Sequence, residues 1–387
     1  MILAAAVVLF VVLTRNPSPD SFYTPPSDLP AKPGTIIRSE PFTAGVPEGA
    51  RAWRVLYAST GEDGRPIAVS GLILAPENPP PGPRPLLAWA HGTTGVVPPC
   101  APSLTDRPLE GIPDMTRPLD KGWVIAMTDY PGLGTPAPHP YLVGASEGRA
   151  VLDSVRAAHR LDLGMSVADR YAIWGHSQGG HAALFAGQLA RTYAPEYELA
   201  GVAVLSPATL LEANLKAIEG TEAGNVLTSF AVHAWSRYYD DINDEILTSG
   251  ARRPAERIAT SCVNQPSRFR IAVAGLRLPD RIVDVDVTKD PSWKMRLDEN
   301  SPTPGAIVAP LFVGQGLADR LIAPRVTGSW VKRRCASGAQ VELRTYPDVT
   351  HPAVVGPGGR DALAWTTERF AGAVPDNTCG IRLPPGG

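Results

Sequence analysis

Residues Tyr171 to Leu189, YAIWGHSQGGHAALFAGQL, leave the chain few ways to fold. The apolar run Tyr171-Ala172-Ile173-Trp174 ends in Gly175-His176-Ser177-Gln178-Gly179, and an alanine-rich helical pattern without proline follows at once. This order predicts strand, tight turn and helix, with Ser177 at the tip and the positive end of the helix beneath its hydroxyl. Glycines flank the serine because neighbouring chains come too close for side chains. Residues this common fall into Gly-x-Ser-x-Gly spacing by chance in roughly one chain in ten of this length. The surrounding sequence must decide what the turn is for.

Those surroundings alternate strand and helix. Leu86–Ala90 is all apolar and ends in His91-Gly92-Thr93-Thr94-Gly95; Trp123–Thr128 is similar and ends in Asp129-Tyr130-Pro131-Gly132. Runs apolar on both faces suit the buried middle of a largely parallel sheet. Gly201–Leu205, Ala309–Val313 and Val341–Tyr346 read as further strands, and 146–160, 324–336 and 359–372 as helices. Ahead of them, residues 51–75 read as two strands around a Gly61-Glu62-Asp63-Gly64 turn, and 17–50 as an extended proline-rich arm. The rhythm breaks over 208–303, where helices rich in Ala, Leu, Trp and Tyr are predicted at 210–220, 226–242 and 244–251, followed by a mixed piece with Cys262, Trp293 and Met295. The expected fold class is α/β: an α/β-hydrolase fold with a mostly parallel doubly wound sheet and an inserted helical cap. Its divisions are a signal peptide or N-terminal anchor at 1–16, core at 17–207, cap at 208–303 and core again at 304–387.

With 387 residues, 44% hydrophobic and a formal charge of −2, the chain has the composition of an ordinary globular protein without a long basic run. That argues against nucleic acid as a partner. Ile2–Leu13 is uninterrupted and apolar, short for a bilayer span but suited to the core of a secretory signal, although no Lys or Arg precedes it and no Ala-x-Ala follows. Export is expected, with this segment either cleaved or retained as a tether to the cell envelope. Cys100, Cys262, Cys335 and Cys379 lie far apart with no Cys-x-x-Cys, which points away from zinc and toward two disulfides in an oxidising compartment, with three pairings open.

A serine hydroxyl needs a histidine base, itself held by a carboxylate, and in this fold the chain order is Ser, acid, His. Asp319 follows the run Leu311-Phe312-Val313-Gly314-Gln315 where the acid should stand, and His351 lies in the loop after the last strand where the base should be. The expected triad is Ser177, Asp319 and His351. The oxyanion donors are the N–H of Gln178 and that of Thr93 or Thr94, from the His91–Gly95 loop. Rival readings make Asp319 a helix cap, Asp348 the acid, His176 a spacer beside the nucleophile, and His139, His159, His181 and His233 structural or surface residues. No metal or organic cofactor is implied.

The chain resembles the secretory lipases of fungi and actinobacteria, the lipase A type of α/β-hydrolase, over most of its length. The resemblance rests on Phe22-Tyr23-Thr24-Pro25-Pro26 with Pro33-Gly34-Thr35-Ile36-Ile37, on Cys100-Ala101-Pro102-Ser103, on Thr128-Asp129-Tyr130-Pro131-Gly132, on the Ser177 elbow and on the Asp319 and His351 loops. It implies a secreted carboxylic-ester hydrolase acting on acylglycerols or other lipid esters, able to meet a lipid interface through its cap. It also implies disulfides pairing Cys100 with Cys262 and Cys335 with Cys379. Two features depart from the fungal members: an oxyanion loop without their acidic residue, and a chain that stops at Gly387 where theirs run on as a flap. A site without that flap is expected to favour shorter, more soluble esters. The same machinery also suits an acyltransferase or a peptidase, and a non-catalytic binding protein on this scaffold would be marked by loss of a triad member.

Overall fold

The computed structural model describes Thr14, residues 16–109 and residues 116–380. The apolar run Ile2–Leu13 lies outside them, and no helix among the described residues is long and apolar enough to cross a membrane. Among the described residues nine strands form one sheet: β1 (Ile36–Phe42), β2 (Ala50–Thr60), β3 (Pro66–Pro76), β4 (Arg84–Ala90), β5 (Val124–Thr128), β6 (Val167–His176), β7 (Glu198–Leu205), β8 (Leu311–Gly316) and β9 (Glu342–Tyr346). Their order is β1-β2-β3-β5-β4-β6-β7-β8-β9. The pairings from β1 to β5 are antiparallel, and those from β5 through β4 to β9 are parallel. This is the α/β-hydrolase arrangement.

Helices cover both faces because the central strands are apolar on both. Against one face, α2 (Gly144–Arg160), α3 (Gln178–Tyr193) and α9 (Pro324–Ala336) bury residues such as Val151, Leu184 and Trp330 with Ile173, Val204 and Val313 of the sheet. Against the other, α1 (Thr116–Asp120) and α10 (Val355–Phe370) bury Leu119, Leu363 and Trp365 with Leu87, Trp174 and Phe312. Trp174 shows how the second face is keyed, since its indole N–H donates to Thr366 Oγ1 at 2.8 Å.

Between β7 and β8 the chain forms α4 (Leu211–Ile218), α5 (Glu222–Tyr238), α6 (Arg252–Ala259), α7 (Arg268–Gly275) and α8 (Pro291–Glu299). These helices have a core of their own, in which Trp235 and Trp293 stack at 5.2 Å beside Phe230 and Ile258. The helix predicted at 244–251 does not form. Leu247 bridges Val283, Thr248 N donates to Ile282 O at 3.0 Å, and helix begins only at Arg252. The sequence Thr248-Ser249-Gly250 is poor in helix formers, so a local bridge competes successfully there.

The arm is also more structured than its prolines suggest. Ile36–Phe42 is a sheet strand, and Phe22 and Tyr23 are buried, with the Arg54 guanidinium 4.3 Å from the Phe22 ring centroid. Tyr23 shares a 2.8 Å hydrogen bond with Ser103 Oγ. Cys100 is bonded to Cys262, linking the loop after β4 to the helical insertion, and Cys335 to Cys379, linking α9 to the C-terminal segment.

Candidate active site

The centre of the site is the turn between β6 and α3. Ser177 adopts φ 58° and ψ −120°, a conformation L residues rarely take, at a cost of about 1–3 kcal/mol. Three backbone bonds hold it there: Ser177 N to Leu205 O at 3.0 Å, and His181 N and Ala208 N to Ser177 O at 3.1 and 3.3 Å. The flanking glycines are needed for space. A Cβ on Gly179 would strike the carbonyl of Ala90, and one on Gly175 the carbonyl of Gly179. The strained turn therefore presses α3 against β4 and lifts Ser177 above the sheet.

Asp319 and His351 meet across the loops that follow β8 and β9. His351 Nδ1–H donates to Asp319 Oδ2 at 2.8 Å, leaving Nε2 as the nitrogen able to take a proton. Asp319 Oδ1 accepts from Leu321 N at 2.9 Å and Ile322 N at 2.8 Å. It thus closes a tight turn, while the N-cap of α9 is Ala323. Burial would raise the Asp319 carboxyl, but the hydrogen bond and charge of His351 and the Ile322 amide outweigh it and hold the group below the usual range. Its side chain is 0% exposed and that of His351 11%, so the pair is shielded yet open at one edge. Asp348 stands exposed in a turn at φ 56°. His176 does more than space the motif: its Nε2–H donates to His351 O at 3.0 Å and its ring packs 4.7 Å from the His351 ring. Burial, with the charge of His351 behind it, lowers the His176 imidazole to about 3, so it supports the loop as a neutral ring.

The loop after β4 brings Thr93 and Thr94 to Ser177. Thr93 Oγ1 shares a 3.0 Å hydrogen bond with Tyr141 OH, and Thr94 O accepts from Val263 N at 2.8 Å, next to the Cys100–Cys262 disulfide. Among the described residues, the Thr93 and Gln178 amides donate to no protein acceptor. Behind Gln178 is a fully buried carboxylate. Glu147 Oε1 accepts from Gln178 Nε2 at 2.6 Å and from Leu142 N at 3.0 Å. His181 Nδ1 lies 3.5 Å from Glu147 Oε2 and His139 Nε2 lies 4.0 Å from Oε1. Burial lowers His139 to about 4, against the pull of Glu147. Glu147 belongs to no motif, although positions 147, 150, 151, 154 and 155 form one buried helical stripe in which a glutamate is out of place. A carboxylate on such a stripe is a readable sign of a buried network.

Two cavities meet at Ser177. The larger, about 590 Å³, is lined by Trp89, Thr93, Thr94, Phe230 and His351 as well as Ser177. The smaller, about 70 Å³, runs under the insertion and is lined by Ser177, Gln178, Leu211, Leu215, Trp235 and Trp293 among others. Thr93 borders both, Thr94 only the larger. No group of three or more metal-ligating side chains occurs among the described residues.

Residues 113–377 match the family model described as secretory lipase, well over half of the chain. The chain belongs to this family. A secretory lipase is an ester hydrolase, and similar proteins carry related names. A Mycobacterium tuberculosis protein called a probable inactive lipase is 26% identical over 379 residues, covering 92% of this chain and 83% of its own length. A trichothecene C-3 esterase of Fusarium sporotrichioides is 24% identical, covering 92% and 84%. Candida antarctica lipase A in its closed state superposes with a TM-score of 0.78 at 21% identity, over 96% of this secretory lipase and 90% of that chain.

Proposed function

We propose that this secretory lipase cleaves carboxylic esters by a Ser177-His351-Asp319 relay and an acyl-enzyme, as an exported protein. Ser177 Oγ attacks the ester carbonyl while His351 Nε2 takes its proton, and Asp319 holds the imidazolium that forms. The Gln178 and Thr93 amides receive the oxyanion; Thr93 is preferred to Thr94 because it borders both cavities at Ser177. His351 returns the proton to the departing alcohol. Water then attacks the acyl carbon as His351 Nε2 takes its proton, and the acyl–Oγ bond breaks as His351 returns that proton to Ser177 Oγ, releasing the acid. The observation that carries this reading is the 2.8 Å bond from His351 Nδ1 to Asp319, which fixes the tautomer a base requires.

The cavities divide the substrate. The leaving alcohol must collect its proton from His351, so it occupies the larger cavity, which His351 lines. The acyl chain takes the smaller one, which holds Ser177 and Gln178 but not His351. That chamber is small, about 70 Å³, and esters of short or medium acyl chains are the preferred class.

A panel of p-nitrophenyl esters from acetate to palmitate, with a triglyceride emulsion alongside, tests the reading. Wild type should cleave the shorter esters best, and Ser177→Ala should cleave none above background. Equal turnover by the two proteins would remove the proposal, and inactivity of both would align this chain with the relative named a probable inactive lipase.

A further inference from the structure

The smaller cavity contains a side chain that an apolar acyl chain does not explain. From α4, residues Leu211, Asn214, Leu215 and Ile218 line it, at the i, i+3, i+4, i+7 spacing of one helical face. Three are aliphatic and the fourth is an amide. Asn214 is buried to 5% exposure, and neither its Oδ1 nor its Nδ2 has a hydrogen-bond partner among the described residues. Two other polar groups on these walls are engaged: Trp235 Nε1–H donates to Tyr141 O at 2.7 Å, and Tyr141 OH is bonded to Thr93 Oγ1 at 3.0 Å. Gln178 Oε1, on the residue next to Ser177, also lacks a partner among the described residues.

A buried amide with no partner destabilises the fold, whereas leucine, of nearly the same shape, would complete the apolar stripe. An unsatisfied buried group in a substrate cavity rejects ligands that cannot bond to it and favours those that can. We propose that Asn214 is a specificity residue, and that the chamber takes acyl groups bearing a hydroxyl within the chain. The amide oxygen accepts the hydroxyl proton and the amide N–H₂ donates to the hydroxyl oxygen, so one substituent satisfies both atoms. The assignment of the chamber to the acyl group rests on the ester-hydrolase reading above.

The test compares p-nitrophenyl octanoate with its mid-chain and terminal hydroxy derivatives on wild type and Asn214→Leu. For at least one hydroxy isomer, wild type should show kcat/KM about tenfold above that of plain octanoate, the scale of one good hydrogen bond. In Asn214→Leu the preference should vanish or reverse, through loss on the hydroxy ester and gain on the plain one. The thermal midpoint of the variant should hold or rise, because an unpaired amide has gone; for an amide paired within the fold it would fall. The same hydroxy-to-plain ratio in both proteins, or a lowered midpoint with that ratio unchanged, would overturn the proposal while leaving the ester-hydrolase reading intact. Failure of both proteins to cleave any ester would instead remove that reading and this one with it.

Discussion

Two buried carboxylates flank Ser177, each with a histidine close by, and they are built for different work. Asp319 receives one short hydrogen bond from His351 Nδ1 and has its second oxygen held by two backbone amides. His351 is left with one free nitrogen at the edge of the large cavity. Glu147 faces two histidines but bonds to neither; its closest partner is the Gln178 amide group at 2.6 Å. His181 is held instead by Asn300 O, 2.7 Å from its Nε2, and His139 by Pro131 O, 2.8 Å from its Nδ1. Proximity of carboxylate and imidazole is therefore not enough to make a base. The imidazole must be oriented through one nitrogen and open to the nucleophile through the other.

The largest difference between the two sides should appear on removing charge without changing shape. Asp319→Asn should lower kcat by about 10³–10⁴-fold, because the amide favours the wrong tautomer of His351. Glu147→Gln should act only through the position of Gln178, lowering kcat about tenfold to a hundredfold, below the roughly 10²–10³-fold that outright loss of one oxyanion donor costs. Steady-state kinetics on one soluble ester measures both. If Glu147→Gln proved as damaging as Asp319→Asn, the distinction drawn between the two carboxylates would be wrong.

A smaller effect belongs to stability. His139 and His176 are lowered to about 4 and about 3 in the folded protein by burial, against about 6.5 for an unfolded chain. As pH falls below about 6.5, the unfolded state binds protons that the folded state refuses, so stability declines from there toward pH 4. The Asp319 shift acts in the same direction at lower pH: its contribution is present above the ordinary carboxylate range and is lost as pH falls through its depressed value. Thermal midpoints measured from pH 7.5 to 4.5 should drop steadily, and His176→Asn should flatten part of the slope. A midpoint independent of pH over that range would contradict the neutral buried histidines.

Much of the candidate site was legible because each residue of the proposed triad follows an apolar strand in the sequence. Ser177 comes after β6, Asp319 after β8 and His351 after β9, and the run before each announces a buried strand ending at a loop. What was not legible depends on contacts distant in sequence. Glu147 and Gln178 are 31 residues apart, and Gly144 is joined to Asn300 across 156. Asn214 looks like an ordinary helix residue until its neighbours in space are known. β1 was hidden by Pro41 within Ile36–Phe42, and it is tolerated because that strand lies at the sheet edge. The segment 244–251 failed for the opposite reason, since an apparent helical pattern lost to a bridge with Val283.

The account stands most directly on Ser177 as the activated nucleophile. Mass spectrometry after exposure to a small fluorophosphonate should find a single adduct, on the peptide carrying Ser177, absent from Ser177→Ala and formed far more slowly in Asp319→Asn. An adduct that persists in Ser177→Ala, or a wild-type protein that turns over esters without ever being labelled at Ser177, would contradict it.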